Sequence, residues 1–144
     1  MTALTITSGV LNNGAQRRQL YVTVQTPATP TQATNTIIYD PTTTPWTNGG
    51  PYVATKIRAI KTASSIQGTA GVPGAAYLTW DASTPVTAYS IPANNEANLE
   101  AALDELWIPL PNQGGSGVTG KIGLTTLGLV QGDTLTILLD LING

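Results

Sequence analysis

The densest group of ionisable side chains is Glu96, Glu100, Asp104 and Glu105, all within NNEANLEAALDELW, residues 94–107. On a helix, Glu96, Glu100 and Asp104 would stack along one face, because positions four apart are neighbours there. A catalytic carboxylate pair instead needs two acids opposed across a cleft, with their pKa values pushed apart. The stripe therefore reads as the wet side of a helix whose other side carries Leu99, Ala102, Leu103 and Leu106. Asp40, Asp81 and Asp133 could hold calcium together with backbone carbonyls, but none stands in an EF-hand spacing. The run NQGGSGVTGK, residues 112–121, is glycine-rich and ends in Gly-Lys. It fails as a phosphate loop, because Ile122 follows Lys121 and the next segment reads as a strand rather than a helix.

A Ser or Thr nucleophile needs an activating base. The chain has no His and no Cys, which removes the commonest base, the commonest metal ligands and any disulfide. No catalytic, cofactor or metal site is expected, and the chain does not read as an enzyme. A hydrolase built on paired carboxylates is the weakest of the functional readings.

The residues that remain suit binding. Arg17 and Arg18 are adjacent in a chain with six basic residues, and an arginine fork matches a carboxylate on a partner surface. They directly precede a strand, so one should project to each side. Trp46, Trp80 and Trp107 could form a sugar-stacking platform, but Trp80 shares the inward phase of its strand and Trp107 follows the amphipathic helix inward. Trp46 is left to meet a partner. It lies in the Thr/Pro/Asn/Gly-rich stretch 26–51, which also carries Ile37, Ile38 and Tyr39. A pure spacer would not need those side chains. The stretch is expected to be an extended strap whose Ile37, Ile38, Tyr39 and Trp46 grip either the protein's own sheet or a neighbouring subunit. Its prolines would lower the entropy lost on ordering.

At 144 residues the chain should fold as one domain, 1–144, with a substantial core. Charged residues are 10% of the total, while 41% are hydrophobic. Ordinary soluble domains carry about 25% charge. A surface so thinly ionised favours association, since charge keeps proteins apart and is depleted in interface cores. The net charge of −2 argues against nucleic acid, which calls for a basic stripe. No run is long and apolar enough for a membrane helix, MTALTITSGVL lacks the basic start of a secretory signal, and no N-x-[ST] sequon occurs.

Short β-branched and aromatic runs separated by turn residues must position these groups. The runs are residues 3–7, 19–25, 36–39, 52–61, 75–80, 85–91, 118–126 and 133–142. The first should turn Leu4 and Ile6 inward, and the second Leu20, Val22 and Val24. In 52–61, Val53, Ile57 and Ala59 should share a face opposite Lys56 and Arg58. Residues 75–80 and 85–91 should form a hairpin over DASTP. In the last run, Leu135, Ile137, Leu139 and Leu141 should line one face and Thr134, Thr136 and Asp140 the other, with Leu138 out of pattern. The expected fold is all-β: an antiparallel β-sandwich of jelly-roll or Greek-key type, with about eight strands. One short α-helix is expected near residues 95–106.

With its polar start MTALTITSGV, its Thr/Ala/Pro/Gly-heavy body without Cys or His, and its strand-like end TLTILLDLING, the whole chain resembles the cement or decoration proteins of tailed-bacteriophage heads. That resemblance implies a small jelly-roll domain, made in the host cytoplasm, that packs as a homodimer or homotrimer on the virion surface. There it would bind the major capsid protein and lock neighbouring shell subunits together. Such a role needs no cofactor. A carbohydrate-binding β-sandwich is the alternative, with a glycan as partner. An adhesin or pilus-like subunit, recognisable by donor-strand exchange, is a further one.

Overall fold

A computed structural model describes residues 2–13, 17–43, 55–69, 71, 73–91, 96–100, 108–109 and 119–143. The regular structure among them is strand, in the order β1 (Thr2–Ala3), β2 (Thr5–Asn13), β3 (Arg17–Gln25), β4 (Pro30–Thr31), β5 (Thr36–Tyr39) and β6 (Thr55–Ser65). Next come β7 (Ala75–Trp80), β8 (Val86–Ile91), β9 (Glu96–Glu100), β10 (Ile108–Pro109), β11 (Ile122–Leu127) and β12 (Thr134–Asn143). No helix of the described residues is long and apolar enough to cross a membrane.

Two antiparallel sheets account for nearly all of these strands. The larger has six strands in the order β10-β6-β12-β3-β2, with β9 also paired to the outer edge of β6. The smaller has four, in the order β5-β11-β7-β8. A two-residue parallel bridge joins β1 to β4. From β3 onward the chain passes back and forth: β5 enters the smaller sheet, β6 the larger, β7 and β8 the smaller, β9 and β10 the larger, β11 the smaller and β12 the larger.

The alternation of residue types explains which side of each strand is dry. On β12, Leu135, Ile137, Leu139 and Leu141 are buried, whereas Leu138 is exposed. Leu20, Val22 and Val24 of β3 pair in register with Leu139, Ile137 and Leu135 and share their burial. The same hydrophobic cluster takes in Ile38 and Tyr39 from β5, Leu78 and Trp80 from β7, and Ile122 and Leu124 from β11. Each such Leu, Ile or Val removed from water contributes about 1.5–3 kcal/mol. The hairpin of β7 and β8 closes over residues 81–85, as the DASTP run suggests.

The structure corrects the sequence reading in two places. The expected helix near 95–106 is not found where the chain is described: residues 96–100 are strand β9, antiparallel to β6, with Leu99 opposite Ile60. Residues 101–106 lie outside the described residues. EANLE alternates polar and apolar residues as cleanly as it satisfies a four-residue spacing, and the open hydrogen-bonding edge of β6 decides between the two. The second correction concerns the facing of β6. Its register with β12 slips between Asp140↔Ala59 and Leu141↔Ile57, so Arg58 is the extra residue of a bulge. Ile57 and Ile60 therefore both enter the core, and Ala59 turns to the opposite face.

The first half of the strap lies on the protein's own smaller sheet. Ala33 N donates to Thr126 Oγ1 at 2.9 Å, and Asn35 N donates to Thr125 Oγ1 at 2.9 Å. Gln32 Nε2 donates to the Leu129 carbonyl at 3.0 Å, while its Oε1 accepts from Thr126 Oγ1 and Leu129 N. Residues 44–51 lie outside the described residues, Trp46 among them.

Candidate docking surface

The face of the six-stranded sheet turned away from the core carries the most distinctive group of side chains. β12 presents Thr134, Thr136, Leu138 and Asp140 there, and β3 presents Arg17, Gln19, Tyr21 and Thr23. Tyr21 lies over Gly9 of β2: a Cβ on Gly9 would fall 2.7 Å from the Tyr21 ring, so a larger residue there would push the ring aside. A second register slip, between Val10↔Leu20 and Asn12↔Gln19, makes Leu11 the bulged residue of β2 and leaves it 60% exposed. Leu138 is 40% exposed beside it.

At the middle of this face Asp140 is shared by two arginines. Arg17 grips it side-on, with Nε at 2.9 and 3.1 Å from the two carboxylate oxygens and Nη2 at 2.5 Å from Oδ2. Arg58, aimed by its bulge, adds Nη1 at 3.0 Å from the same Oδ2. Asp140 is nearly covered, at 9% side-chain exposure, while Arg17 keeps 53% and Arg58 29%. Hydrogen bonding to Asp140, reinforced by its charge, raises the Arg17 pKa further above its ordinary value. Among the described side chains Asp140 is the one carboxylate that the two guanidiniums share, and it fixes their planes. Lys61 lines the same groove, which encloses about 450 Å³ between Leu11, Arg17, Arg58, Leu138 and Asp140. Three of the chain's six basic residues thus meet in one place.

Arg18 points the opposite way, as its adjacency to Arg17 implies. It is fully buried and donates from Nη1 to Tyr39 Oη at 2.8 Å, tying β3 of one sheet to β5 of the other. Burial raises the Tyr39 pKa, partly offset by the hydrogen bond from Arg18. Ile38 and Tyr39 are likewise buried within the chain's own core, and Ile37, 39% exposed, is the strap residue of this trio that faces solvent. Among the expected contact residues, the structure therefore leaves Arg17 and Ile37 at the surface, and it does not bring them together in one site. Asp140, Arg58, Leu11 and Leu138 are the contributors that sequence reading missed. The lone acid among the leucines of the last strand was the available signal.

Asp133, Asp81 and Asp40 are each committed to the fold. Asp133 accepts from Gln67 N at 3.1 Å and Val130 N at 3.0 Å. Asp81 accepts from Asn35 Nδ2 at 2.9 Å and Thr119 Oγ1 at 2.8 Å. Asp40 accepts from Thr42 N at 2.9 Å and lies 3.7 Å from Lys121 Nζ. Its pKa is lowered, chiefly by the side-chain hydrogen bond from Thr42. Among the described residues no three His, Cys, Asp or Glu converge as a metal site would require. Chemically, the outer face can hold a carboxylate by a preset arginine fork and bury apolar surface around it. Compared with known proteins, the chain matches no family model, no curated protein and no solved structure.

Proposed function

We propose that this chain is a structural virion protein that docks through the outer face of its larger sheet on an assembled phage capsid and stabilises contacts between major capsid subunits. The observation that carries the reading is the groove of Arg17, Arg58, Leu11 and Leu138 around Asp140. A charge-poor chain concentrates half its cations there beside exposed leucines, as in an interface with an apolar centre and an arginine anchor. A repeating shell multiplies such a modest contact through avidity.

Under the same proposal the two sheets are the halves of a jelly-roll sandwich. Three features support it. The orders β9/β10-β6-β12-β3 and β5-β11-β7-β8 interleave in sequence, every pairing in them is antiparallel, and one hydrophobic cluster draws on both sheets. Jelly rolls serve as capsid and as lectin domains. The lectin alternative needs an exposed aromatic platform; Trp80 does not supply one, being buried at 1% exposure, and Trp46 and Trp107 lie outside the described residues.

The test is co-sedimentation with undecorated, expanded shells of the phage whose major capsid gene neighbours this one. Wild-type protein should pellet with the shells and raise their resistance to heat. Leu138→Glu and Arg17→Gln should each weaken binding about tenfold or more while leaving the fold intact. Failure to bind shells, together with a Trp fluorescence response to a sugar panel, would overturn the proposal in favour of the glycan reading.

A further inference from the structure

The free margins of the two sheets are not alike. β9, at one end of the larger sheet, carries Glu96 and Glu100, and its neighbour β10 is two residues long. In the smaller sheet β5 has four residues and is followed within two positions by Pro41, while β8 has six and is flanked by Pro85 and Pro92. Charge, brevity and proline are the usual ways of stopping an edge strand from pairing with another chain. β2 uses neither charge, nor brevity, nor proline. It runs for nine residues as TITSGVLNN, ends the six-stranded sheet, and pairs on its other side with no strand among the described residues. Its regular portion, Thr5–Val10, keeps an unbroken register with β3 before the bulge at Leu11. Thr5, Thr7, Ser8, Val10 and Leu11 are exposed along it.

We infer that the β2 edge is an interaction surface for a second copy of this chain, pairing antiparallel with the partner's β2 across a two-fold axis to continue the sheet. The occupant follows from charge and symmetry. In an isologous pairing each residue meets itself or a near neighbour, so any charged residue on the strand would face its own sign. No residue of β2 is charged, nor is any from 1 to 16. Backbone N–H and C=O groups on an edge are self-complementary in the antiparallel sense, and a strand added there satisfies them. With the two-fold perpendicular to the sheet, Thr5, Thr7 and Gly9 of one copy share a face with those of the other. Exposed Val10 adds apolar area at the same margin. The pairing leaves the Arg17–Asp140–Arg58 groove uncovered and does not depend on shell binding.

Sedimentation velocity over a concentration series tests this. The wild-type chain should pass from 14.9 kDa to twice that mass at micromolar concentration. The double variants Thr5→Lys/Thr7→Lys and Thr5→Glu/Thr7→Glu should each remain monomeric with unchanged circular dichroism, and mixing them one to one should restore the dimer. If either variant misfolds, wild-type hydrogen exchange decides: the amides of residues 5–10 that point away from β3 should gain protection as concentration rises. A wild-type chain that stays monomeric, lysine variants that dimerise normally, charge pairs that fail to rescue, or edge amides indifferent to concentration would each overturn the inference.

Discussion

Gly123 leaves room for Asn35 of the strap on the smaller sheet, and substituting it gives a demanding test of how the strap is held. A Cβ at this position would fall on Asn35 Oδ1, with Thr79 Oγ1 at 2.8 Å and Asn35 Cγ at 2.9 Å. Asn35 is not free to move aside. Its Oδ1 accepts from Thr79 Oγ1 at 2.6 Å, and its Nδ2 donates to Asp81 Oδ1 at 2.9 Å. Its backbone φ of 43° is one that asparagine tolerates better than most residues. Gly123→Ala should therefore break two side-chain hydrogen bonds, at about 1 kcal/mol each, and add about 1–2 kcal/mol of overpacking, for a total of about 3–4 kcal/mol. Asn35→Gly should cost less, because losing the same bonds is partly offset by relief of the left-handed backbone. In the Asn35→Gly background the new methyl meets chiefly the Thr79 hydroxyl, so its cost should fall below about 1.5 kcal/mol and the cycle should show a coupling of about 2 kcal/mol. Urea unfolding of the four proteins measures this, with an unchanged m-value confirming that the midpoint shifts report stability. A Gly123→Ala protein within about 0.5 kcal/mol of wild type, or strict additivity with Asn35→Gly, would refute the reasoning.

Other perturbations follow from the same geometry. Asp140→Asn keeps the shape but sets Arg17 and Arg58 against each other. Because both arginines retain solvent access, the loss should be about 1–2 kcal/mol and should shrink in high salt as the repulsion is screened, read by thermal unfolding at two ionic strengths. Burial of Tyr39 lifts its folded-state pKa above the ordinary tyrosine value of 10.0. The associated stability is therefore fully present below pH 10 and is lost as pH rises through the folded pKa, and urea unfolding across that range should show the decline. Tyr39→Phe should abolish the decline while costing about 1–3 kcal/mol at neutral pH through the lost hydrogen bond with buried Arg18. Thr29 holds φ at 45°, an outlier for a β-branched residue, and its side chain is exposed. Thr29→Gly should stabilise the protein by about 0.5–1 kcal/mol, measured as a raised thermal midpoint.

What could be read from the sequence was whatever short-range periodicity controls. The leucine row of β12, with Leu138 left outside, follows from strict alternation, as does the inward phase of Leu78 and Trp80 on β7. Where two periodicities coexist, as in EANLE, the outcome rests on a partner strand more than thirty positions away, since Ala59 pairs with Glu100. The Arg58 bulge is equally non-local: a one-residue slip against β12 moves Ala59 to the outer face, and nothing in KIRAIK announces it. Arg17 and Arg18 were legible as a pair facing opposite ways, because adjacent strand residues must do so. Their partners were not, because Asp140 is 123 positions from Arg17 and Tyr39 belongs to the other sheet. The groove around Asp140 is assembled from bulges and long-range pairings, and its parts carry no shared local pattern.

The claim that the outer face of the larger sheet is the docking face is tested most directly by hydroxyl-radical footprinting of the protein free and bound to undecorated shells. Leu138, Leu11 and Tyr21 should lose reactivity on binding, while Val86 at the margin of the smaller sheet keeps it. Unchanged reactivity at Leu138 and Tyr21, with protection appearing at Val86 instead, would contradict the account.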